Sequence, residues 1–265
     1  MALDQDKEGV HMFLTNTQKA WGIHPSWNGF LNDQKAITEL EKIEKALSKE
    51  KFYPLSPNVL RFLSFDLGKL KYVVLGMDPY PSSYKDKHGH IIPTATGRAF
   101  EVGDMTSWTD PTKNASIRNI FKTIYSNATG REVSKGLLDE ARAALISGNF
   151  TISPPTTWFD QTEAQGVLWL NASLTVKPGK ADSHKKLWMA FTDLLIVYIA
   201  NKAPNAKFMA WGDKAQKKVK GKVSEDRIIK ASHPRMEKFA YENCFQYVGL
   251  EAFGASPGKK SSSAI

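Results

Sequence analysis

The sequence predicts an α/β fold, a single domain with a central, mostly parallel four-stranded sheet flanked by helices. Three observations carry this. Short β-prone apolar runs at residues 71–76, 167–171, 207–211 and 227–231 each end flush against turn signals, as strands buried on both faces do. Helical patterns such as residues 116–126 and 184–201 separate them, so the connections are crossovers and the strands parallel neighbours. No repeat and no Pro-, Gly- or Ser-rich linker divides the 265 residues. Residues 1–255 are therefore read as one domain, and 256–265, with little to bury, as a flexible C-terminal tail.

Taken in order, Asn32 and Asp33 offer caps to a helix whose apolar positions Ile37, Leu40, Ile43 and Leu47 recur at helical spacing. The helix at 184–201 places Leu187, Phe191, Leu194 and Tyr198 on one face. Its apolar stretch at 187–200 is too short to span a bilayer and carries Asp193, so no membrane partner is expected. The first residues lack a basic segment followed by an apolar run. Cys244 is the sole cysteine, which excludes an intrachain disulfide and any multi-cysteine metal cluster and points to a reducing compartment. The expected location is intracellular, in cytoplasm or nucleus depending on the host.

A hydrophobic content of 42% excludes a disordered or collagen-like chain. The 36 Lys and Arg against 27 Asp and Glu give a formal charge of +9, which favours polyanionic partners without naming one. In parallel sheets, ligands bind beyond the carboxyl ends of the strands, and the residues there carry chemistry. The runs lead into Gly76-Met77-Asp78-Pro79-Tyr80-Pro81, Asn171-Ala172-Ser173, Trp211-Gly212-Asp213-Lys214 and Ser232-His233-Pro234-Arg235-Met236. Two prolines stiffen the segment around Asp78 and Tyr80. Singly, Asp78 reads as a turn residue, Asn171 as a loop cap and His233 as a structural histidine. Three strand ends bringing a carboxylate, an amide and an imidazole to one edge read as a site.

With these motifs in order along nearly the whole chain, the sequence resembles a family 1 uracil-DNA glycosylase. The shared segments include Tyr53-Pro-Leu-Ser-Pro-Asn58, Gly76-Met-Asp-Pro-Tyr80, Gly97-Arg-Ala-Phe-Glu-Val102, Ser116-Ile-Arg-Asn119, residues 165–176, Ala181-Asp-Ser-His184, Trp211-Gly212 and Ala231-Ser-His-Pro234. The resemblance implies the glycosylase fold, a metal- and cofactor-free hydrolysis of the N-glycosidic bond of uracil flipped from single- or double-stranded DNA, and a place in base excision repair. Position by position, it implies that Asp78 stabilises the developing sugar cation and positions the water, and that a neutral His233 donates to uracil O2 as charge gathers on the leaving base. Asn171 reads the O4 and N3 edge, Phe100 stacks on the flipped base, and Tyr80 fills the space of a thymine methyl. Ser116 and Ser232 grip phosphates. A monomer is implied, with a replication or repair protein as a further partner class.

The chain also departs from the family. Met77 and Pro81 stand where Gln and His are usual, a proline variant resembling the poxvirus branch, and only backbone contacts to substrate survive at Met77. The loop between Asp78 and Phe100 is longer than usual; its His88 and His90 read as solvated side chains rather than metal ligands. Glu237 falls where the family has a leucine wedge, which leaves Met236 or Phe239 to fill the gap of the flipped base and Arg235 to add a phosphate contact. Lys214, Lys217, Lys218, Lys220 and Lys222 cluster at the same edge and face DNA on this reading. The departures also motivate a rival expectation, a glycosylase-fold DNA-binding or replication-partner protein with reduced or lost catalysis. An α/β enzyme of phosphorylated metabolites is disfavoured, because no glycine-rich phosphate loop follows the first strand.

Overall fold

The computed structural model describes residues 12–112 and 114–257. Its centre is a four-stranded sheet of β1 (Tyr72–Gly76), β5 (Val167–Asn171), β6 (Lys207–Trp211) and β7 (Ile228–Ala231), in the order β5-β1-β6-β7. Every pairing is parallel. All four strands lie within the predicted runs, and the sheet is wholly parallel because a helix-bearing crossover joins each strand to the next.

Because alternate residues of a strand face opposite ways, the sheet has two apolar faces. Val73, Leu75, Leu168, Leu170, Phe208 and Ala210 enter one cluster, while Val74, Val167, Trp169, Met209, Trp211 and Ile229 enter the other. The first face is covered by α1 (Met12–Ala20), α2 (Asn28–Leu31), α3 (Gln34–Leu47) and α7 (Lys185–Lys202). The second is covered by α4 (Ala115–Thr129), α5 (Leu137–Ile146), α6 (Pro155–Ala164) and the short α9 (Lys238–Tyr241). Helix α8 (Asp213–Val219) follows β6 directly. No helix among the described residues is long and apolar enough to cross a membrane.

Asp33 caps α3 as expected, its carboxylate accepting from the N–H groups of Lys35 (2.8 Å) and Ala36 (3.4 Å). The face of α7 is turned from the expected one. Trp188, Phe191, Leu195 and Ile199 are buried, and Leu187, Leu194 and Tyr198 flank them half-buried. Two polar anchors choose this rotation. The Trp188 indole N–H donates to Thr175 Oγ1 at 2.6 Å, and the Thr192 hydroxyl donates to the Ala172 carbonyl at 2.8 Å, fixing the helix to the loop after β5.

Two small sheets lie outside the expectation. The long loop after Pro81 folds into a hairpin of β2 (Ser83–Lys85) and β3 (Ile91–Pro93), whose turn Asp86 closes by accepting from the N–H groups of His88 (2.8 Å) and His90 (2.9 Å). In the other, β4 (Phe150–Ile152) pairs antiparallel with β8 (Ala255–Pro257). Ser256 and Pro257, expected in the tail, thus belong to a strand, because β4 presents an edge to which they hydrogen-bond; residues 258–265 lie outside the described residues.

Glu44 on α3 is a charge the helical pattern placed at no apolar position, yet it is only 7% exposed, and its Oε1 accepts the Phe13 N–H at 2.7 Å. Burial pushes its pKa up to about 7, against the backbone hydrogen bonds of Phe13 and Met12. Since the folded pKa lies above the unfolded one, the folded state keeps a proton that the unfolded state has lost, and stability falls as pH rises from the ordinary carboxylate range to about 7, then levels. We expect denaturant midpoints of the parent to report a loss of about 2 kcal/mol between pH 5 and pH 8 from this group. Glu44→Gln should remove that part of the pH dependence.

Candidate active site

The parallel register places Gly76 opposite Asn171, so β1 and β5 end level. A Cβ on residue 76 would lie 2.4 Å from Asn171 Oδ1 and 2.8 Å from Ala99 Cβ, so only glycine lets the amide and the 97–100 segment close on the strand end. Beyond the strands the ladder continues, with the Ala172 N–H donating to Gly76 O (2.9 Å) and the Ser173 N–H to Met77 O (2.8 Å). Asn171 is 3% exposed. Among the described residues its side-chain amide has no hydrogen-bond partner, which leaves one acceptor and two donors for a ligand edge.

Asp78 follows in the turn after β1, half-buried, with Oδ2 accepting the Asp182 N–H at 2.7 Å. Burial raises its pKa, aided by the nearby Asp182 carboxylate and opposed by the Asp182 N–H and the Lys214 ammonium. His233 reaches the same edge from β7. Gly212, at φ +90°, admits it, since a Cβ there would lie 2.9 Å from His233 Cβ. His233 Nδ1 accepts the Arg235 N–H at 3.1 Å, so the neutral ring carries its proton on Nε2. Burial lowers its pKa, and the charges of Arg235 and Lys214 lower it further. A carboxylate and a neutral imidazole N–H thus share the edge.

Phe100 forms a wall. Its ring lies 5.5 Å from that of Trp211 and 6.2 Å from His233, and its backbone has φ +64°, which is strained for an aromatic residue. Arg98, two residues earlier, pins the segment. Its Nε donates to Glu163 Oε1 at 2.8 Å and its Nη groups to Asp160 (2.6 Å) and Glu101 (3.2 Å). The Tyr80 hydroxyl donates to the Phe100 carbonyl at 3.5 Å and is half-buried beside the ring, its pKa raised by burial. Among the described residues no three or more His, Cys, Asp or Glu side chains are placed to hold a metal ion.

No protein-family model matches the chain. It is 30% identical over 247 residues to a uracil-DNA glycosylase of Campylobacter concisus, covering 89% of this chain and 91% of that one. Another of Pseudomonas fluorescens is 34% identical over 221 residues, covering 80% of each chain. The chain belongs to the uracil-DNA glycosylase family. A uracil-DNA glycosylase of equine herpesvirus 2 is 32% identical over 234 residues, 87% of this chain and 78% of that one. The fold agrees: a UNG crystal structure from Nitratifractor salsuginis superposes with a TM-score of 0.69 at 22% identity, covering 94% of this chain and 98% of that one.

Of the residues assigned from the sequence, this glycosylase brings Met77, Asp78, Tyr80, Phe100, Asn171 and His233 to the carboxyl edge of the sheet. Met77 has its carbonyl taken by Ser173 and its side chain packed on the α7-side cluster. Ser116 lies in the first turn of α4, buried, its N–H donating to the Asn114 cap at 3.1 Å. Ser232 is engaged already, with both its N–H and its hydroxyl donating to the Glu242 carboxylate, the latter at 2.6 Å. Arg235 and Glu237 are exposed, as is Met236 at 55%. Phe239 does not join them. It is 0% exposed with its ring 5.0 Å from Trp211, because α9 turns it into the core, so of the two candidates only Met236 stands at the surface.

Of the lysines, Lys218 and Lys222 turn inward to Asp193 at 2.6 and 3.3 Å, and Lys214 pairs with Asp182 at 2.5 Å, while Lys217 and Lys220 stay exposed. Sequence reasoning missed Asn119, which closes the quoted Ser116–Asn119 segment. Its side-chain amide donates to the carbonyls of Pro234 (2.7 Å) and Met236 (3.3 Å) and so holds the wedge loop on α4.

We expect Phe239→Ala to cost about 3–5 kcal/mol in chemical denaturation, as a buried aromatic truncation does. Met236→Ala should leave stability unchanged and slow excision from a duplex more than from single-stranded DNA, read as the ratio of single-turnover rates.

Proposed function

We infer that the protein is a uracil-DNA glycosylase that flips uracil out of DNA and hydrolyses its N-glycosidic bond, leaving an abasic site. The observation that carries the reading is His233. A ring whose Nδ1 is held as an acceptor, at an edge shared with a carboxylate and an unpartnered buried amide, is a neutral hydrogen-bond donor for charge that develops on a leaving base. Asp78 then faces the sugar cation and orients water, and Asn171 reads the O4 and N3 edge. Phe100 stacks on the base, and Tyr80 excludes the thymine methyl by volume. We further propose that it acts as a monomer. Kinship at 30% and 34% identity with proteins named uracil-DNA glycosylase disfavours the catalytically silent alternative. DNA is an intracellular substrate, and we place the protein in cytoplasm or nucleus accordingly, where a replication or repair protein is a further partner class.

Phosphates beside the flipped nucleotide meet Ser116, Ser232 and Arg235. At Ser232 a phosphate takes over two donors that now serve the Glu242 carboxylate. Removing that competing charge with Glu242→Gln should therefore lower Kd for uracil-containing DNA severalfold in fluorescence anisotropy. An unchanged or higher Kd would remove Ser232 from the DNA contacts.

The primary test is release of free uracil from a labelled oligonucleotide in EDTA, with thymine and cytosine controls; no release at enzyme concentrations that bind the DNA would refute the assignment. The active form holds Asp78 ionised and His233 neutral. With the pKa of Asp78 raised from 3.8 and that of His233 lowered from 6.5, both conditions are met on the alkaline side of both values. The single-turnover rate should thus climb with pH on the acid side and level once both groups have lost their protons. Asn171→Asp should weaken the choice of uracil over cytosine, and Tyr80→Ala should admit thymine, both measured by base release.

A further inference from the structure

We propose that Asp182 and Lys214 form a clamp that positions the Asp78 carboxylate, which makes both of them positioning residues for uracil excision. The inference rests on the reading of Asp78 as the group that faces the sugar. Two short contacts in series define the clamp. The Asp182 N–H donates to Asp78 Oδ2 at 2.7 Å, and the Asp182 carboxylate receives Lys214 Nζ at 2.5 Å. Lys214 stands in the first turn of α8, immediately beyond the end of β6, so the chain of contacts joins the turn after β1, the turn before α7 and the helix after β6.

The backbone shows why a clamp is needed. Asp182 sits at φ +58°, a left-handed conformation that strains a non-glycine residue, and in that conformation its N–H meets Asp78. Within the turn, the Ser183 hydroxyl accepts the Lys177 N–H at 2.8 Å, and the ion pair to α8 ties the turn to the helix after β6. With Oδ2 held, Oδ1 has no protein donor among the described residues and is left for water and sugar. Both partners are about half exposed, and a pair in that setting adds little to global stability, so its effect belongs to geometry. The charged groups whose fields reach Asp78 are Asp182, from the turn packed on it, and Lys214, from α8. His233, across the edge, is held neutral.

The test uses the full chain and single-turnover kinetics on a uracil-containing oligonucleotide. Asp182→Asn and Lys214→Met should each lower the maximal rate about tenfold with thermal stability unchanged. The double variant should be no slower than the worse single, since both break one device, and Lys214→Arg should restore most of the rate. The acid limb of the pH profile should separate the two. Lys214→Met removes the charge that favours the Asp78 carboxylate and moves the limb to higher pH, whereas Asp182→Asn removes a like charge and moves it lower. A Lys214→Met effect confined to KM would make Lys214 a phosphate contact and overturn the clamp, as would single effects that multiply in the double variant. Failure of the underlying reading is distinguishable, because Asp78→Asn would then retain the parent's rate.

Discussion

The active site depends on one packing constraint, the absence of any atom beyond Cα at Gly76. Strand β1 is central, with β5 on one side and β6 on the other, and its last residue is level with Asn171. The space a side chain would take is filled from two directions, by the Asn171 amide and by Ala99 at the head of the Phe100 wall. The Asn171 amide and the Phe100 wall are thereby brought against the strand that delivers Asp78. Gly212 repeats the device one strand over, where its open face admits His233. Two glycines at two strand ends set the spacing of the pocket, and the sheet behind them, apolar on both faces, makes that spacing rigid.

Electrostatics follows from the same geometry. Burial at the sheet edge drives both catalytic groups toward neutrality, which suits the imidazole and opposes the carboxylate. The Asp182 N–H and, after it, the Lys214 ammonium pull Asp78 back toward its charged form. Lys214 favours the charged form of Asp78 and disfavours the charged form of His233, so one cation pushes the two residues to opposite protonation states.

The strands were legible because burial on both faces leaves uninterrupted apolar runs, and their ends were legible because asparagine, aspartate and histidine stood where turn residues were due. The rotation of α7 was not, since it is set by indole and hydroxyl bonds from Trp188 and Thr192 to partners remote in sequence. Phe239 misled because an aromatic residue near a DNA-facing loop reads equally as wedge or core, and a single turn of α9 decides between them. Asp182 and Lys214 carried no signal as a pair; their link depends on a left-handed backbone angle that the sequence, with no glycine there, did not advertise. The strand at 255–257 was hidden for a related reason, as its partner β4 lies about a hundred residues earlier.

The strand order has a consequence for how the protein is made. Both neighbours of β1 come later in the chain, and β7, which delivers His233, is the last strand of the main sheet. A chain emerging from the ribosome displays Asp78 early, but that strand stays unpaired until β5 and β6 have been synthesised. The imidazole arrives only after the other three strands of that sheet. A chain interrupted before β7 therefore carries the carboxylate and the amide without the imidazole.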